Sequence, residues 1–228
     1  MDKKLVRFDW AIKRLLRNKD NFVVLEGFVS ELLFDDIKIE QILESAGNQL
    51  YDADKFNRVD ILTQNSKKEL IIIEIQNIYE IDYFQRMVLG TSRIIIDNFI
   101  TGQLYYEIVK AISINIVYFD LGQGQDYIYK GVTNFKGVNR NDFFGPPPIK
   151  DRAYSQTNIF PEYYLLKVNQ FNEEIKDTLD EWVYYLKKGE VKDNFKAKGL
   201  KEAGEILDII HLRTEEQNDY QSYLDKLK

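Results

Sequence analysis

The chain has 228 residues and a formal net charge of -6, with 44% hydrophobic and 30% charged residues. That balance is globular and excludes a disordered tail, a collagen-like or coiled-coil repeat, and a protein that coats nucleic acid through bulk positive charge. With no cysteine and one histidine, His211 in an apparent late helix, disulfides and thiolate metal sites are excluded, and a His-rich zinc centre or Ser-His-Asp triad has little to rest on.

No apolar run approaches the ~20 residues that cross a bilayer, and the first residues lack the apolar region of a signal peptide, so an unexported, cytoplasmic protein is expected. Residues 1–20 are locally basic: Lys3, Lys4, Arg7, Lys13, Arg14, Arg17 and Lys19 stand against Asp2, Asp9 and Asp20. This stretch reads as a solvated helix face or as an edge turned to phosphate.

Apolar spacing predicts a helix from about Leu5 to Arg17 and a second, opened by Asp20, to about Leu33. A strand is expected from Ile37, ending by Gly47, and a loop with Asp52 and Asp54 follows. The segments Arg58–Gln64 and Glu69–Gln76, joined by Asn65-Ser-Lys-Lys, predict a β-hairpin whose second strand, nearly all apolar, lies centrally in a sheet. From about Glu80 to Ile100 the apolar residues Ile81, Phe84, Val88, Ile95 and Phe99 recur at spacings near three or four and predict a long helix capped by Gly102. Strands are expected at Ile112–Phe119 and Tyr127–Phe135, a break at Gly145–Pro148, and a strand or short helix at Ile159–Val168. Helices around Asp177–Lys187, Leu200–Leu212 and Glu215–Leu227 complete a mixed α and β chain. Residues 1–175 are expected to form the catalytic domain, and 176–228 a helical extension that packs on it or mediates a homodimer.

Burying an unpaired carboxylate costs several kcal/mol, so Glu74 inside Ile71-Ile-Ile-Glu-Ile-Gln requires a cation, a proton or a donor. Strand alternation puts Glu74 and Gln76 on one face and Ile73 and Ile75 on the other. A hairpin centred on Lys67 sets Asp60 opposite Glu74. Facing carboxylates repel unless a divalent cation neutralises them, and Mg²⁺ suits such a pair, with the Ile75 carbonyl as a further ligand and Mn²⁺ as an alternative ion. Gln76 would orient water or a phosphate oxygen. The alternative is that Asp60 merely ends a strand and Glu74 pairs with a basic residue.

In order along the chain, Asp9-Trp-Ala-Ile-Lys13, the leucine-bearing helix Phe22–Leu33, Val59-Asp60-Ile61, Ile73-Glu74-Ile75-Gln76 and Arg86 resemble the motifs of the recombination-promoting nuclease/transposase family (Rpn) of the PD-(D/E)XK superfamily. Ile12 stands where the family has Phe, and Gly90 replaces an aromatic residue often found after the arginine. The resemblance implies a restriction-endonuclease-like mixed central sheet flanked by helices, and Mg²⁺-dependent cleavage of DNA with Asp60 and Glu74 as metal ligands. Gln76 stands where the wider superfamily usually has Lys, which better stabilises an anionic transition state. Asp9 and Lys13 read either as an i, i+4 pair or as residues supporting the site, and Arg86 as a phosphate contact or a structural ion pair. The function alternative is a non-cleaving, nucleic-acid-binding or regulatory module on the same fold.

Overall fold

The computed structural model describes residues 3–43, 60–99, 102–142, 159–209 and 212–226. The expected Gly47 strand end, the Asp52 and Asp54 loop, the start of the first hairpin strand, the Gly145–Pro148 break and His211 lie outside those residues. A short strand β1 (Lys3–Lys4) precedes helices α1 (Phe8–Arg14) and α2 (Phe22–Leu33). Then come β2 (Ile39–Leu43), β3 (Ile61–Asn65), β4 (Leu70–Gln76), α3 (Tyr83–Asp97), β5 (Ala111–Val117), β6 (Ile128–Gly131) and β7 (Glu162–Lys167). The chain continues through α4 (Thr178–Lys188), β8 (Glu190–Val191), α5 (Leu200–Ile206) and α6 (Thr214–Lys226).

Six strands form one mixed sheet in the order β2-β3-β4-β5-β7-β6, and β1 pairs with β8 in a separate ribbon. β4 runs antiparallel to β3 and parallel to β5, so its ladder is filled on both sides, as its apolar sequence requires. The β3–β4 turn is set by Asn65, whose Oδ1 accepts from the Lys67 and Glu69 amides at 3.0 and 2.9 Å, while Lys68 takes the left-handed conformation at φ 65°. Ile61 pairs with Ile73, and this register is centred on position 67.

Strand alternation divides the core. Ile71, Ile73 and Ile75 with Ile112, Ile114 and Ile116 share one face with the aromatic cluster of Phe8, Phe28, Trp182 and Tyr185 from α1, α2 and α4. On the other face Leu70 and Ile72 meet Ile94, and Val117 meets Tyr83 and Met87, all three from α3. The fold is therefore a mixed sheet with helices on both faces.

Several elements depart from expectation. The first helix is only Phe8–Arg14, because residues 3–5 are drawn into extended pairing with residues 189–191 and 208. A 3-10 turn at Lys19–Asn21, capped by Asn18, separates α1 and α2 where Asp20 was expected to cap. The strand expected at Tyr127–Phe135 is shorter, β6 ending at Gly131, and it pairs with β7 rather than with β5. Asn98, not Gly102, is the C-cap of α3. The largest departure is rotational. α3 buries Tyr83, Met87, Thr91 and Ile94, while Ile81, Phe84 and Val88 face solvent.

Candidate active site

Glu74 and Gln76 sit at the C-terminal end of β4, on the face covered by α3. Extending the register by one residue sets Asp60 opposite Glu74. Asp60 lies just before β3, and its Oδ2 accepts the Ile75 N–H at 2.7 Å. Its Oδ1 is 2.9 Å from Lys13 Nζ, and its backbone carbonyl accepts from Arg17 Nη2 at 2.8 Å. Lys13 and Arg17 thus bring the exposed basic side of the N-terminal segment to Asp60. Arg14 turns instead to Asp219 at 3.2 Å.

Glu74 is 8% exposed, and its buried Oε1 is ion-paired with Arg86 Nη2 from the first turn of α3. Burial pushes its carboxyl up to about 7; Arg86 pulls it down, and the negative charges of Asp60 and Glu80 push it further up. Glu80 was not foreseen from the sequence. Its Oε1 accepts from Arg86 Nη1 at 2.7 Å and from Gln76 Nε2 at 2.7 Å, so one carboxylate sets the direction of both partners. Tyr83, buried beneath, donates to Asn115 Oδ1 at 3.3 Å, and its hydroxyl is held well above its ordinary range by burial and the Glu74 charge.

Asp9 and Lys13 do not pair with each other. Asp9 lies at the start of α1 and its side chain turns inward, where its Oδ2 accepts from Asn77 Nδ2 at 2.7 Å, from Arg7 Nη2 at 3.2 Å and from the Tyr223 hydroxyl. Asn77 follows Gln76 directly, so this network fastens the end of β4 to α1 and α6. Burial pushes the Asp9 carboxyl up, but the Arg7 guanidinium and the donors Tyr223 and Asn77 bring it below its usual value. The alternation that placed Gln76 on the α3 side could have placed Asn77 on the α1 side; Tyr223, 214 positions from Asp9, leaves no such signal.

The structure thus brings Asp60, Glu74, Gln76, Lys13 and Arg86 to one end of the β3–β4 hairpin, with Asp9 behind it. No group of three or more His, Cys, Asp or Glu side chains among the described residues is arranged to hold a metal ion. The facing carboxylates of Asp60 and Glu74 are oxygen donors of the kind a hard cation that takes few protein ligands accepts. Glu74, buried opposite Asp60 and with its carboxyl pushed up first by burial and then by the negative charges of Asp60 and Glu80 despite Arg86, is the residue that favours added positive charge. Among the described residues no helix is long and apolar enough to cross a membrane.

No curated protein and no solved structure matches the chain. A mixed sheet with helices on both faces is consistent with a restriction-endonuclease-like fold. A family model does match: that of the PD-(D/E)XK nuclease family transposase, over residues 6–144. Because that match spans more than half of the chain, from α1 through the hairpin and α3, the chain belongs to the PD-(D/E)XK nuclease family of transposases.

Proposed function

We propose that the chain is a divalent-cation-dependent endonuclease that hydrolyses DNA phosphodiester bonds, with Asp60, Glu74 and Gln76 as its reactive set. The observation that carries this reading is Glu74: a carboxylate buried among isoleucines, opposite Asp60 in the hairpin register and ion-paired with Arg86. Asp60, Glu74 and the Ile75 carbonyl would hold Mg²⁺ or Mn²⁺. When bound, that ion supplies Lewis acidity toward a phosphodiester and a more acidic water.

The chain's own residues do the rest. Asp60 is oriented by the Ile75 amide and Lys13, so its carboxylate does not have to be organised when substrate arrives. Lys13 and Arg17, both exposed, give the Asp60 side a positive rim for the phosphate backbone. Arg86 balances Glu74 and is itself fixed by Glu80. Gln76, held by Glu80 through its amide nitrogen, keeps its carbonyl oxygen as an acceptor for a water proton.

The second reading, a binding module that keeps the fold and does not cleave, is favoured by the counter-ions in place: Lys13 on Asp60 and Arg86 on Glu74 already balance both carboxylates. Cleavage of supercoiled plasmid with added Mg²⁺ separates the two. The nuclease reading expects nicked or linear product, reduced at least ~100-fold in folded Asp60→Ala and Glu74→Ala. Absence of product from the parent with every divalent ion and substrate tried would favour the binding module.

A further inference from the structure

Lys167, at the end of β7, is a buried cation without a counter-ion. It is 1% exposed, its Nζ makes no hydrogen bond, and no carboxylate among the described residues pairs with it. The Tyr129 ring lies 5.7 Å from Nζ, at the outer limit of a cation–π contact. A long lysine stem ordinarily carries its head out to water, and an uncompensated charge kept under protein costs stability. Nothing described in the fold offsets that cost.

Its position relates it to the hairpin end. Gln76, Val117 and Lys167 are the last residues of β4, β5 and β7, and they stand in register across these three parallel strands. Residues paired in this way share a face. It is the face under α3, where Val117 and Leu165, two residues before Lys167, meet Tyr83 and Met87. Two strand spacings separate Lys167 from Gln76, ~10 Å. Lys13 and Arg17 lie beside Asp60 on the β3 side of the reactive set, and Lys167 lies on its β7 side. The carboxyl ends of parallel strands are where open α/β sheets take up ligands.

We propose that Lys167 binds a phosphate of the nucleic-acid backbone, so that the bound strand crosses the carboxyl edge of the sheet from Lys13 and Arg17, past the hairpin end, to β7. The fold leaves the ammonium without an anion, and a phosphodiester is the anion that both readings of the function bring to this edge. The proposal rests on that shared binding and does not require cleavage. Access requires one side chain to move. Tyr129 is half-buried on β6, the edge strand, and its hydroxyl accepts from the Asp126 amide at 2.8 Å. Asp126 ends the loop that carries Gly122 and Gly124 at φ 66° and 132°. Swinging the ring outward gives up one neutral hydrogen bond, and the charge-assisted bond to phosphate is stronger.

The test is the salt dependence of duplex DNA binding by the full chain, followed by fluorescence anisotropy in a chelating buffer. The parent is compared with Lys167→Met and, as a control for net charge, with Lys201→Met, exposed on α5. Each phosphate contact contributes ~0.9 to the slope of log affinity against log salt. Lys167→Met should reduce the slope by about that amount and weaken binding about tenfold, alike on two unrelated sequences. Without DNA the same variant should raise Tm by ~2 °C or more, since a buried unpaired charge has been removed. A purely structural lysine would lower Tm and leave the slope alone. The parent's slope in folded Lys167→Met overturns the proposal, and so does an equal fall in Lys201→Met. A lower Tm also overturns it, being the outcome if a carboxylate of the chain itself pairs with the ammonium. If Lys167→Met does not fold, Lys167→Gln, neutral and polar, is read in the same way. A parent that binds no duplex, with or without divalent ions, removes the proposal together with both readings of the function; normal binding with an unchanged slope removes the proposal alone.

Discussion

Asp9 accepts hydrogen bonds from Arg7, the Trp10 amide, Asn77 and Tyr223, and is 2% exposed. Its folded pKa lies below its ordinary value, so its contribution to stability is complete above the unfolded pKa of ~3.9 and is lost as pH falls through the lower, folded one. Asp9→Asn should cost ~3 kcal/mol at pH 7, much of it from leaving Arg7 without its charge partner. Urea midpoints followed from pH 7 to pH 2 should show the gap between parent and variant closing in acid; a gap constant with pH would remove the ion pair from the explanation. Glu74 has the opposite sign. Its folded pKa is raised to about 7, so ionising it lowers stability as pH climbs from the unfolded value of ~4.3 to about 7, and the full penalty is present above that. In a chelating buffer Glu74→Gln should therefore raise Tm at pH 8 and leave it nearly unchanged at pH 4. Added Mg²⁺ should raise the parent's Tm at pH 8 but not the variant's. Identical pH profiles for parent and variant would contradict the assignment of the shift to Glu74.

At the scale of elements, the hairpin was legible and the rotation of α3 was not. Apolar β4 and the polar turn at Asn65 leave one register, and it is the one that pairs positions 60 and 74. α3 offers two apolar stripes, and periodicity cannot rank them. The stripe that turns inward carries Tyr83 toward Asn115 and brings Arg86 to Glu74, contacts between residues distant in sequence. Gly90 lies in the middle of this helix, and a Cβ built there meets no atom within 4 Å. Gly90→Ala should accordingly stabilise the chain by ~0.5–1 kcal/mol through helix propensity and a less flexible unfolded state, a Tm gain of roughly 1–4 °C in a scanning calorimeter. A lower Tm would mean that the glycine serves a close contact outside the single chain.

For the whole molecule, early and late segments share one core. Trp182 of α4 is fully buried against Phe8 and Phe28, and Glu31 of α2 accepts from Thr178 Oγ1 at 2.6 Å and from the Lys198 amide at 3.0 Å. α2 meets the start of α5 at two glycines: a Cβ on Gly27 would lie 2.6 Å from Gly199 Cα, and Gly199 itself has φ 80°. Backbone cannot yield as a side chain would, so Gly27→Ala should cost ~2–4 kcal/mol, read as a lower urea midpoint with an unchanged m-value. Sequence gave the late helices their approximate places but not this crossing, because glycine marks a close approach only once its neighbour is known.

The bond from Tyr223 to Asp9 also has a consequence in time. The two residues are 214 positions apart, and a ribosome adding ~5–20 residues per second takes roughly ten to forty seconds between them. In the part of that interval after Glu74 is made, a nascent chain has its hairpin carboxylates but lacks the last hydroxyl that secures Asp9 behind them, so the hairpin end is finished only when α6 has emerged.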